Sequence, residues 1–143
     1  MERNEGRCIL ALDPGREKCG LAVLHSTGSI IEKLVVATPE MPDATGGLAR
    51  KYHPVALVVG GGTGSETAYK AASEISPGSV VRVSEEGTTL EARELAWREN
   101  PPGGIWRLIP RIFWPTPPDL DAWAAVVIGR RALAELELDK PAA

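Results

Sequence analysis

The chain has 143 residues, of which 43% are hydrophobic and 24% charged, and a net charge of −3. That supports one core of ordinary composition and leaves too little chain for two full lobes closing on a cleft. The acidic balance argues against holding nucleic acid by bulk attraction, and no apolar run approaches the roughly 18 residues of a membrane span.

Met1 to Arg7 is polar and charged and does not read as a signal peptide. With only Cys8 and Cys19, no disulfide framework is needed, and a reducing, cytoplasmic setting is expected. Residues 7 to 13, RCILALD, predict a buried strand, and Pro14–Gly15 the turn that follows it. Residues 19 to 25 and 29 to 37 predict two more strands, joined through Ser26, Thr27 and Gly28. Three strands on short connections predict an antiparallel meander.

The pattern then changes. Residues 43 to 52 predict a short helix weakened by Gly46 and Gly47, and 55 to 60, VALVVG, a fully buried parallel strand. A helix over 65 to 75 and a strand over 80 to 83 follow. Thr88 and Glu91 have capping-box spacing, which predicts a helix from there to about Asn100. Residues 101 to 118 hold six of the twelve prolines and no acid, so no long helix fits there. A final helix is predicted from about Asp119 to Leu136, with a frayed tail to Ala143. The whole reads as one α/β domain over 1–143, a mixed sheet with helices on both faces.

Three acids stand where apolar residues are expected. Alternation places Asp13 with Ile9 and Ala11, at the last strand position before a tight turn. It is either a turn aspartate bonding its own backbone or a functional carboxylate. Glu85 and Glu86 follow the strand at 80 to 83, at the end where open α/β sheets bind ligands. Alternation aligns Glu85 with Val81 and Val83, so Glu85 is the better candidate; otherwise both are solvated acids near a helix start. Asp121 heads the helical stripe Ala125, Ile128 and Ala132, while Asp119 reads as the N-cap. A carboxylate cluster in a low-dielectric site needs a cation, and hard oxygen ligands favour Mg²⁺ or Mn²⁺. That chemistry serves phosphodiester hydrolysis.

With these residues in place, the sequence resembles the YqgF/RuvX family of the ribonuclease H-like superfamily, relatives of the RuvC Holliday-junction resolvases. The matching stretches are ILALDPGREKCGLAVL at 9 to 24, VALVVGGGTGSET at 55 to 67, SEEGTTLEA at 84 to 92 and DAWAAVVIGRRAL at 121 to 133. The resemblance implies a five-stranded mixed sheet of order 3-2-1-4-5, with strands 1 to 3 antiparallel, flanked by helices. It implies a metal-dependent nuclease acting on structured RNA or branched DNA, through 5′-end processing of pre-16S rRNA or Holliday-junction-like cleavage. It places the catalytic and metal-holding carboxylates on Asp13, Glu85 and Asp121. The family's DERLTT segment is altered here: Ser84 replaces its Asp, Glu86 its Arg and Gly87 its Leu. A catalytically decayed nucleic-acid-binding module on the same fold is therefore the alternative.

Candidate substrate contacts are Arg16, Lys18, Thr88, Arg107, Arg111, Trp106 and Trp114. Trp97 reads as a core residue, and Trp106 and Trp114 as a substrate or homodimer surface. GGGTGS at 60 to 65 lacks the lysine of a P-loop and reads as a flexible loop or a minor phosphate contact. His25 and His53 read as structural, and Cys8 and Cys19 as core residues flanking the first turn.

Overall fold

Short apolar runs separated by turn residues become strands, as their patterning predicts. In the computed structural model, residues 7–62 and 64–139 are described. Strands β1 (Cys8–Asp13), β2 (Lys18–His25) and β3 (Ile30–Ala37) form the antiparallel meander. A 3₁₀ turn leads into α1 (Met41–Tyr52), then β4 (Ala56–Gly60), α2 (Ser65–Ile75), β5 (Val80–Val83) and α3 (Thr88–Glu99). After two 3₁₀ turns, α4 (Leu120–Asp139) closes the fold. The sheet order among the described residues is β3-β2-β1-β4-β5, with β1–β4 and β4–β5 parallel. This is the five-stranded mixed α/β sheet of order 3-2-1-4-5.

Strand alternation splits the core into two layers. Ile9, Ala11, Ala22, Leu24, Val58 and Val83 pack under α3 and α4, whereas Leu10, Leu12, Leu21, Val23, Leu57 and Val59 pack under α1 and α2. Each fully buried aliphatic side chain contributes roughly 1.5–3 kcal/mol. Residues Ala122 to Gly129 are all buried, more than the single stripe predicted, because α4 lies between the sheet and α3. A Cβ on Gly60 would lie 2.4 Å from Ile128 Cδ1, and one on Gly129 would lie 2.6 Å from Leu24 Cδ1, so both glycines set the depth at which α4 seats.

Several boundaries differ from expectation. Helix α1 starts at Met41 rather than residue 43, since Pro42 falls in the first turn, where its missing N–H costs nothing. It ends at Tyr52, as expected, and the left-handed His53 (φ 50°) caps it, its N–H donating to Ala49 O at 2.9 Å. The capping box does not form. Gly87, with φ 75°, is the N-cap of α3, and the Thr88 hydroxyl turns back to donate to Glu85 O at 2.8 Å. Glu91 pairs instead with Arg131 at 3.2 Å. Helix α4 continues past Leu136 to Asp139, into the tail expected to fray over 137–143, while 140–143 and the expected N-terminal tail at 1–6 lie outside the described residues. Cys8 and Cys19 are buried and free, but they sit at opposite ends of the β1–β2 pair, Cys8 opposite His25 and Cys19 beside Gly20.

Candidate active site

Asp13 ends β1 on the face that packs against α4, as the company of Ile9 and Ala11 requires. Its cross-strand partner is Gly20. A Cβ at Gly20 would stand 1.8 Å from the backbone oxygen of Asp121. The missing side chain therefore lets the first turn of α4 settle directly on β2, next to Asp13. Lys33 on β3 anchors the same helix end, with Nζ 2.8 Å from Asp119 Oδ2 and 4.4 Å from the centre of the Trp123 ring. Asp119 is thus an ion-pair partner through its side chain, and its carbonyl accepts from the N–H groups of Ala122 and Trp123.

Glu85 arrives from the β5–α3 connection. Its carbonyl accepts from both the Thr88 N–H (3.0 Å) and the Thr88 hydroxyl (2.8 Å). Arg131 donates to Ser84 O at 3.0 Å, fastening the same turn to α4. Burial, then the Asp121 carboxylate, then that of Glu85 push the Asp13 carboxyl up to about 7. The three acids therefore share one electrostatic neighbourhood at the C-terminal edge of β1 and β5. The donor set is all oxygen and anionic, which suits a hard divalent cation in kind. Among the described residues, however, no group of three or more His, Cys, Asp or Glu stands ready to hold a metal ion.

Two clefts lie on either side of this edge. One of about 420 Å³ is lined by Pro14, Gly15, Arg16, Thr38, Gly64 and Thr67, on the α1–α2 face. The other, of about 400 Å³, is lined by Trp97, Asn100, Pro115, Asp119 and Trp123, on the α3–α4 face.

The remaining candidates separate by their partners. Arg16, Lys18 and Arg107 are exposed. Thr88 is buried and its hydroxyl is engaged in the Glu85 turn. Trp97 is buried and donates to Pro115 O at 3.1 Å. Trp114 meets it edge-on, with ring centres 5.2 Å apart, and its N–H is shared between Trp106 O and Ile109 O. Arg111 pairs with Glu94 at 2.6 Å and lies over both indoles. These contacts brace the proline-rich segment, and they leave Ile105, Leu108, Ile112 and Phe113 facing solvent.

Sequence reasoning passed over Lys33 and Gly20, and took Gly62 only as part of the glycine-rich loop at 60 to 65. A lysine in a half-exposed edge strand carries no signal of its own, and a glycine's close neighbours are visible only in three dimensions.

No protein-family model matches the chain, and no curated protein matches it in sequence. Among solved structures it is similar to T. thermophilus RuvC in complex with a Holliday junction substrate, with TM-score 0.57 and 16% identity over 95% of this chain and 99% of that one. It is also similar to the Thermus thermophilus RuvC structure, with TM-score 0.53 and 16% identity over 94% and 99% of the two chains. At this identity the likeness establishes the fold, a RuvC-like ribonuclease H fold. Among the described residues, no helix is long and apolar enough to cross a membrane.

Proposed function

We propose that this chain is a metal-dependent nuclease of the YqgF/RuvX kind, acting on structured RNA or branched DNA. The observation that carries this reading is that Asp13 ends β1, Glu85 follows β5 and Asp121 stands in the first turn of α4, where burial, then Asp121, then Glu85 raise Asp13 to about 7. The likeness of the fold to RuvC, one structure of which is a complex with a Holliday junction substrate, supports it. The candidate reactions are 5′-end processing of pre-16S rRNA and cleavage of four-way junctions.

The three carboxylates would hold Mg²⁺ or Mn²⁺. When bound, such an ion supplies Lewis-acid charge at the scissile phosphate. In the metal-free chain, burial and then the Asp121 and Glu85 carboxylates favour the protonated form of Asp13, and a bound cation would favour its anionic form. Thr88 and Arg131 hold the turn that presents Glu85. Arg16, Lys18 and Arg107 are exposed and would take backbone phosphates, with Trp106 next to Arg107 in the chain.

A second reading, a binding module with a decayed site, draws on Ser84, Glu86 and Gly87 and on the absence of a ready metal-holding group among the described residues. One experiment separates the two. Cleavage of an rRNA precursor and of a four-way junction is followed with Mn²⁺ for the native chain and for Asp13→Asn, Glu85→Gln and Asp121→Asn. The nuclease reading expects metal-dependent cleavage lost in all three variants. Binding without cleavage in the native chain supports the decayed module, and unchanged cleavage by Asp13→Asn removes the site assignment.

A further inference from the structure

The glycine-rich stretch after β4 borders the site, and its three described glycines there differ sharply in their surroundings. A Cβ on Gly61 would meet Val83 O at 3.8 Å, and one on Gly64 would meet Gly15 O at 3.6 Å, both ordinary contacts. A Cβ on Gly62 would lie 1.9 Å from Glu85 Oε2, 2.3 Å from its Cδ and 2.4 Å from Oε1. Gly62 also has φ +140°, a backbone conformation that side chains disfavour. The Gly61 N–H donates to Val83 O at 2.9 Å, tying this loop to the end of β5 and setting Gly62 beside the Glu85 side chain.

Glu85 needs such a neighbour. Asp13 stands on a strand and Asp121 on a helix, so their backbones aim them. Glu85 stands on a connection and has one more side-chain torsion than an aspartate. Its backbone is held by Thr88, but among the described residues no hydrogen bond or ion pair reaches its carboxylate. Space, rather than a partner, decides where that carboxylate rests.

We propose that Gly62 is a positioning residue, whose missing side chain leaves the room that the Glu85 carboxylate occupies at the sheet edge it shares with Asp13 and Asp121. The inference rests on the reading that these three acids hold a divalent cation. The displaced group in a Gly62→Ala chain is the far end of a flexible side chain on an exposed loop. The added methyl is therefore expected to swing the carboxylate away, and the thermal melt reads the separate cost of a side chain at φ +140°.

The test uses Mn²⁺ alone as the probe. Calorimetric titrations are run on the native chain, Gly62→Ala, Glu85→Ala, the double variant and Gly64→Ala, with a thermal melt of each. A crystal structure of metal-free Gly62→Ala completes the set. Loss of about tenfold or more in Mn²⁺ affinity is expected for Gly62→Ala, the range seen when groups that orient metal ligands are removed. No further loss is expected when Gly62→Ala is added to Glu85→Ala, and little change for Gly64→Ala. In the crystal, the Glu85 carboxylate should be displaced. A role confined to loop strain would weaken Mn²⁺ equally with and without Glu85, and that result overturns the inference. So does native affinity in Gly62→Ala, or a Glu85 carboxylate that stays in place. If the native chain takes up no Mn²⁺, the metal reading falls, and the crystal structure alone decides whether Gly62 places Glu85.

Discussion

Replacing Asp13 by asparagine should stabilise the metal-free protein at alkaline pH. The Asp13 carboxyl titrates at about 7 in the fold against 3.8 as an ordinary aspartate. Each tenfold change in proton affinity corresponds to roughly 1.4 kcal/mol, so holding this carboxylate ionised costs up to ~4 kcal/mol. The site opens to solvent at the sheet edge, and screening there brings the expected figure to about 2 kcal/mol. Because the folded value is raised, the native state binds more protons than the unfolded chain between pH 4 and 7. The native chain therefore loses stability as pH rises through that window and stays at the lower level above it. The asparagine side chain carries no charge in either state, so the two proteins should melt together at pH 4. In EDTA at pH 8 the variant should melt about 4–8 °C higher. Adding Mn²⁺ should raise the native melting temperature and leave that of the variant unchanged. Equal melting temperatures at pH 8, or a difference that does not vary with pH, would refute the argument.

Two further outcomes follow from packing and charge. Gly20→Ala places a methyl against the backbone of Asp121 and must lift α4 from β2, so a loss of about 3 kcal/mol or more is expected in denaturant unfolding, and a variant as stable as the native chain would contradict the close approach. Arg16→Ala with Lys18→Ala should weaken binding to a four-way junction and reduce the slope of log affinity against log salt by about 1.4–1.8, if both side chains contact phosphate; an unchanged slope would remove them from the interface.

The element list was largely open to sequence reading because it rests on local pattern. The continuous apolar run VALVVG marks a strand buried on both faces, and β4 is one, with both neighbours parallel. Alternation along CILALD put Asp13 on the same face as Ile9 and Ala11, and those two residues do pack under α4. Local pattern failed where a distant group competed for a side chain. The Thr88–Glu91 spacing fits a capping box, but Arg131 takes Glu91 from across the α3–α4 contact, and Thr88 turns back to Glu85. Asp119 does take the N-cap position before Leu120, with its carbonyl accepting from the Trp123 N–H, but its carboxylate goes to Lys33, 86 positions away. Trp106 and Trp114 read as a substrate or homodimer surface, but Trp114 and Arg111 are used on each other and on the buried Trp97 of α3.

Sequence alone determined which residues have the chemistry of a site: three carboxylates at element ends, in an order resembling that of a nuclease family. Carboxylate identity and strand period are local properties, legible residue by residue. Tertiary structure decided that Asp121 and Glu85 stand near enough to add to the burial that raises the Asp13 carboxyl, because that depends on how β1, β5 and α4 are packed. It decided this largely through absent side chains. Gly20 admits the α4 backbone beside Asp13, and Gly62 leaves room for Glu85. A glycine shows in sequence only as permission, and its use is defined by whatever the fold brings up against the missing Cβ.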